Sequence, residues 1–352
     1  MARARRSMPP ETAHASGTTS PTAILSALPE VWRKPLACLG VAVLGLMLVS
    51  AREWGEMLHQ WWNIDTYNHI LLVPLIVIWL VWLKSGELER VAPRSLGWGM
   101  AIVAAGLALW LAGRVTDINL IAQAGAVGAV QGAIVAMLGA RVAVLLALPL
   151  TYLAFLVPFG DEIIPQLQAI TAQITIALTR WSGIPAVVDG IYIDTPVGLF
   201  IVAEACSGVK FLVAMVTLAV LVCFTRFRSW SRRAAFMAAS IIIPVLANGV
   251  RAWGTVYIAQ FAGVEFAAGF DHIFYGWIFF ALVVGMVLAG AWRFFESEPE
   301  DYGFTARDLK GAGALAAIEG KGESPLVILA GIAALGMAAA IGAGLLAPAG
   351  LG

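Results

Sequence analysis

A thiol, a guanidinium and an imidazole, carried by Cys206, Arg251 and His272, are the side chains in this sequence whose types and spacing suit covalent chemistry. Cys206 lies in the stretch EACSGVK (Glu204 to Lys210), where polar residues give way to a long apolar run. A thiol is a strong nucleophile only as a thiolate, which a nearby base or a positive field favours. The sequence offers both. A cysteine in the first turn of the expected helix meets unsatisfied amide hydrogens, and Lys210 follows four residues on, on the same helical face. Lys210 also suits a simpler role, extending its charge from an apolar surface to water. His272 is a candidate to take the thiol proton and return it to a leaving amine, and Arg251 to donate to the oxyanion of a tetrahedral intermediate. Ser207 and Gly208 add backbone amides and room for close approach. Asp271 or Asn248 is available to orient the imidazole or the guanidinium, and spacing does not choose between them. The other cysteines, Cys38 and Cys223, read as packing residues. With no CxxC and no Cys/His cluster, neither a metal nor a cofactor is expected.

The elements that must position these groups belong to a membrane bundle. Of 352 residues, 60% are hydrophobic and only 12% charged, with a mean hydropathy of +0.86, which excludes an ordinary soluble domain. The apolar runs are long and lack the alternation of barrel strands, so helices are the expected way to satisfy backbone groups in lipid. Spans are expected at 36–51, 70–83, 97–113, 118–138, 142–158, 206–224, 234–252, 272–292 and 326–347. The segment 165–181 is helical in period but rich in Gln and Thr, and is expected at the interface or only partly in the bilayer.

Basic residues set the orientation. Arg33 and Lys34, then Lys84, Arg90 and Arg94, then Arg226, Arg228, Arg232 and Arg233, and finally Arg293 mark one side, expected to be cytoplasmic. The alternate connections carry Glu53, Glu56, Asp65, Asp161, Glu162, Asp189, Asp194, Glu204, Glu265 and Asp271, and are expected outside. Cys206, Arg251 and His272 lie 20, 18 and 21 residues from Arg226, Arg233 and Arg293 respectively. At helical rise these are about 30, 27 and 31 Å, close to the hydrocarbon thickness. All three are therefore expected at the outer leaflet, on three helices free to pack side by side.

Between Val187 and Val202 the period changes to alternation, with Asp-Gly and Thr-Pro-Val-Gly as turn signals, so a small β-hairpin is expected on the outer surface. The expected fold is an all-α polytopic membrane protein: a core bundle of about eight helices, a small periplasmic β-hairpin and one extra C-terminal transmembrane helix. Its parts are a disordered basic cytoplasmic tail (1–35), the transmembrane core (36–295), a flexible Gly-, Glu- and Lys-rich cytoplasmic linker (296–325) and a loosely attached last helix and tail (326–352).

Four stretches, in this order, resemble the exosortase/archaeosortase family: DTYNHILLVPL (Asp65 to Leu75), EACSGVKFL (Glu204 to Leu212), NGVRAW (Asn248 to Trp253) and GVEFAAGFDHIFYGWIFF (Gly263 to Phe280). Lys210 departs from the arginine expected there in many members. The resemblance implies a multi-span cysteine transpeptidase of the inner membrane, with Cys206 as nucleophile and Arg251 and His272 completing a triad that faces the periplasm. It implies membrane-anchored protein substrates with a C-terminal tail of a Pro-Glu-Pro motif, a transmembrane helix and a basic cluster, and a link to exopolysaccharide and biofilm production. The lipid bilayer is the other expected partner, and nucleic acid is not one. Glu204, Tyr67, Asn68 and His69 are candidate walls of the groove for the motif, and His69 equally suits an interfacial hydrogen-bonding role. The competing readings are a transporter, which usually keeps ionisable groups or broken helices at mid-membrane, and a non-enzymatic component of exopolysaccharide assembly.

Overall fold

The computed structural model describes residues 29–270 and 276–346. The chain is an all-α polytopic membrane protein with a small sheet. Among the described residues, six helices are long and apolar enough to cross a membrane, or eight if each of two bent pairs counts as one span. The first is α1 (Glu30–Val49), which starts earlier than the sequence suggested and carries Pro35 inside its second turn, where the missing amide hydrogen leaves the Val31 carbonyl without its i→i−4 donor.

The connection expected between the first two spans is itself the helix α2 (Ala51–Asn63), amphipathic and burying Glu53, Met57 and Trp61. It meets the following 3₁₀ turn (Asn68–Leu72) and α3 (Val73–Leu83) at 107°. Asn68 closes that corner, its amide donating to the carbonyls of Trp61 at 2.9 Å and Trp62 at 3.3 Å, two acceptors that a helix end leaves open.

α4 (Met100–Thr116) and α5 (Asn119–Leu138) pack as an antiparallel pair. Gly99, Gly106 and Gly113 face Ala136, Ala129 and Ala122, while Gly125 and Gly132 of α5 face the backbone at Trp110 and Val103. A Cβ on any of these glycines would run into the opposite main chain, so small residues every seven positions let the two backbones touch.

The single span expected at 142–158 is instead a run of short pieces, Ala140–Leu145, Ala147–Tyr152 and a 3₁₀ turn at Leu153–Leu156, which meet the helical run through 181 at a 69° bend. Pro149, Pro158 and Gly160 account for the interruptions, Gly160 with a φ of +128° that side chains rarely adopt. After the bend, α6 (Ile164–Trp181) runs as one helix and packs on the later helix that carries Arg251.

The expected hairpin gains a third strand. β1 (Val187–Asp189), β2 (Tyr192–Thr195) and β3 (Gly198–Ile201) form an antiparallel meander in the order β1-β2-β3, with Val187 opposite Asp194 and Thr195 opposite Gly198. Both turn signals in the stretch are used, and two turns make three strands.

α7 (Val209–Arg226) and α8 (Trp230–Ala262) follow. The 33 residues of α8 make it about 50 Å long, well beyond the span expected at 234–252. Gly263, with a φ of +87°, ends α8, and α9 (Val264–Phe270) follows it, so 253–262 and 264–270 are helical where a connection was expected. α10 (Gly276–Trp292) is a shorter apolar helix packed on α8.

The segment 296–325, expected as a flexible linker, is folded onto the bundle. Tyr302 is buried in the core with Tyr67, Leu80 and Tyr152, and its hydroxyl donates to the Leu80 carbonyl at 2.7 Å. Lys84 Nζ donates to the Phe304 carbonyl at 3.0 Å, and Glu319 pairs with Arg141. Glu296 accepts the amide hydrogens of Ser229 and Arg228, which hold its carboxyl below the usual range. The last helix, α11 (Pro325–Leu346), packs against α1 and α4, with Ile328 and Ile332 in one core with Cys38, Leu107 and Met137.

Candidate functional site

Cys206 does not lie in the first turn of α7. It ends a 3₁₀ turn, Glu204–Cys206, and Gly208, with a φ of +84°, separates that turn from the helix starting at Val209. The left-handed residue breaks helical phase, so Lys210 does not share a face with Cys206. Its ammonium lies 5.2 Å from the Phe211 ring centre. Ser207 is buried, and its hydroxyl accepts from Val209 N at 3.3 Å, meeting one of the amides that the helix start leaves open.

Asn248 holds this turn in place. From α8 its amide donates to the Cys206 carbonyl at 2.8 Å and to Thr171 Oγ1 at 3.1 Å. Thr171 in turn donates to the Ser207 carbonyl at 3.4 Å, while the Thr175 hydroxyl donates to the Thr171 carbonyl at 2.8 Å and has the Gly249 carbonyl at 3.5 Å. Thr171, Thr175 and Thr179 recur every four residues on α6, all buried. Hydroxyls thus meet the polar backbone that Cys206 and Asn248 bring into the bundle, as buried polar groups require. Thr171 and Thr175 were not picked out as site residues from the sequence, although their four-residue spacing was a usable signal.

Arg251 lies one turn beyond Asn248 and is 9% exposed. Its guanidinium carbon is 5.7 Å from the centre of the Phe211 ring, which stacks on Phe280 of α10 at 4.9 Å and 22°. Cys206 and Arg251 line one cavity of about 70 Å³, closed by Thr175 of α6, by Ile193 and Phe200 of the sheet and by Thr255 of α8. The sheet therefore contributes walls to the pocket that holds the thiol. Four elements meet there, α6, the sheet, the 3₁₀ turn and α8, and the last two carry residues expected to act together. His272 and Asp271 lie outside the described residues.

The expected groove residues divide. Asn68, His69 and Lys210 line a second cavity of about 530 Å³, together with Phe211, Phe280 and Tyr152. Phe211, a wall of this second cavity, is also the ring beside the Arg251 guanidinium of the first. His69 Nδ1 is 3.0 Å from the Thr66 carbonyl, consistent with a hydrogen-bonding role within its own corner. Tyr67 is a core residue, 3% exposed, and Glu204 is exposed on the 3₁₀ turn and lines neither cavity. Cys38 and Cys223 are buried in separate apolar clusters, as packing residues. No group of three or more His, Cys, Asp or Glu suited to a metal ion occurs among the described residues.

A family model described as transmembrane exosortase matches residues 61–289 of this chain. No curated protein and no solved structure matches it.

Proposed function

This chain belongs to the transmembrane exosortase family, and from that premise we propose that it is a membrane-embedded cysteine transpeptidase. Its substrates are proteins anchored by a C-terminal sorting tail, cut at the periplasmic face of the inner membrane, and the activity serves exopolysaccharide and biofilm export. The observation that carries this reading is the shared cavity: the Cys206 thiol, from the 3₁₀ turn before α7, and the buried Arg251 guanidinium of α8 line the same small space.

In the proposed reaction the Cys206 sulfur attacks the carbonyl carbon of the scissile peptide and His272 takes its proton. A C–S bond forms while the carbonyl becomes an oxyanion that Arg251 stabilises. Collapse breaks the C–N bond, His272 gives its proton to the departing amine, and a thioester remains until an amine or water displaces the sulfur. Asn248, by fixing the carbonyl of Cys206, is a positioning residue for the nucleophile. A substrate held by its own transmembrane helix shares the depth of the thiol, which supplies the proximity that catalysis needs.

The test is processing of a co-expressed tailed substrate by Cys206→Ala and Cys206→Ser proteins whose membrane insertion has been checked. Processing is expected to fall below detection in both. Cleavage at the normal rate would remove the peptidase reading and leave a transporter or assembly role.

A further inference from the structure

We propose that the arginine-rich end of the bundle carries a binding site for an anionic phospholipid, with Arg233 receiving the headgroup phosphate. The site is a cavity of about 580 Å³ at the opposite end of α7 from Cys206, and the inference does not depend on the chemistry proposed there. Its walls include Leu145, Ala147 and Leu148 of the interrupted span, Arg228 and Arg233 at the turn between α7 and α8, and Asp301.

The charges in this lining do not cancel. Arg228 reaches Asp301 at 3.8 Å, whereas Arg233 has no carboxylate partner among the described residues. Arg233 is nonetheless firmly held: Nε donates to the Phe227 carbonyl at 3.0 Å, and the guanidinium carbon lies 4.7 Å from the Phe224 ring centre and 4.8 Å from that of Trp230. One fixed, uncompensated positive charge therefore faces a cavity whose other walls are largely apolar.

That combination selects its ligand. A guanidinium pairs well with a phosphate diester, and aromatic side chains such as the 73%-exposed Trp230 favour the level of lipid headgroups. Two guanidiniums against one carboxylate leave a single positive charge, matched by a lipid with one net negative charge. A zwitterionic lipid brings an ammonium that Arg228 and Arg233 repel. The apolar walls give an acyl chain somewhere to begin, which inorganic phosphate cannot use. Basic pockets between transmembrane helices commonly take anionic headgroups in this way.

The experiment uses full-length protein in detergent, with bound lipid read by native mass spectrometry and stability by thermal unfolding. Phosphatidylglycerol, phosphatidylcholine and inorganic phosphate are titrated separately. Wild type is expected to retain phosphatidylglycerol at least about fivefold better than phosphatidylcholine, the preference one basic side chain near a membrane surface supports. Arg233→Gln should erase that preference and Arg233→Lys should keep most of it. Ala147→Trp, which fills the cavity without changing charge, should lower retention of both lipids and serves if Arg233→Gln fails to fold. Equal retention of the two lipids by wild type, an unchanged preference in Arg233→Gln, unchanged retention in Ala147→Trp, or equal stabilisation by inorganic phosphate would each overturn the proposal.

Discussion

Gly208 sets where the thiol stands. At a φ of +84° an L side chain is strained, and a Cβ there would lie 2.7 Å from Cγ of Asn248. The residue that allows the turn is thus also the one that lets Asn248 reach the Cys206 carbonyl. Gly208→Ala is expected to slow processing of a tailed substrate by at least about tenfold at equal membrane levels, since left-handed strain alone is about 1–2 kcal/mol. Asn248→Asp, which removes the amide donor and leaves an acceptor facing an acceptor, should slow it similarly while Asn248→Gln keeps the donor and recovers part of the rate. Unchanged rates in Gly208→Ala and Asn248→Asp would show that the turn does not position the nucleophile. At this scale the sequence was informative about residue types: a thiol after a glutamate and before Ser-Gly, and an arginine three residues after an asparagine, stand out in an apolar chain. Phase was harder to read. Counting four residues from Cys206 to Lys210 assumed an unbroken helix, and the glycine between them voids that assumption. Thr171 escaped because its partners, the Ser207 carbonyl and the Asn248 amide, are far away in sequence.

At the scale of elements, the clearest dependence is between α4 and α5, where glycine meets alanine every seven residues. Gly106→Leu should force the two backbones apart by several ångströms and cost more than about 3 kcal/mol, because overpacking against main chain has no rotamer to relieve it. The expected readout is loss of folded, membrane-inserted protein, checked by protease resistance and thermal unfolding. Gly128→Ala on the facing helix α5 is the control, since a Cβ there comes only to 3.8 Å of Gly106; equal stability of Gly106→Leu and Gly128→Ala proteins would refute the close approach. Long apolar runs made α1, α4, α5, α7 and α11 readable, because lipid leaves a helix as the only solution for them. The corner after α2 and the fragments between 140 and 156 were not readable. Apolar content is the same in a straight span and a broken one, and the difference rests on where Pro149, Pro158 and Gly160 fall against their neighbours. The third strand follows from the second of the two turn signals, Thr-Pro-Val-Gly, since a single hairpin uses only one.

Across the whole molecule, the part that looked most detachable is bound at several points. Tyr302 enters the central core, Glu296 and Glu298 clasp the turn between α7 and α8, and α11 shares a core with α1, α4 and α5. Glycine, lysine and glutamate in 296–325 suggested solvent, but a few residues, Tyr302 and Glu319 above all, carry the attachment, and composition averages over them. The length of α8 bears on the other end. Arg251 falls about 32 Å along it, with 11 more helical residues beyond, and the sheet closes over the cavity from the same side. A thiol held at one height beneath such an overhang behaves as a gauge. In the proposed reaction it would accept a bond only when the tether between that bond and the substrate's own anchor has the matching length. Eight residues inserted into that tether as two helical turns would lift the bond about 12 Å out of reach and should stop cleavage, whereas the same insertion on the far side of the bond should pass unnoticed.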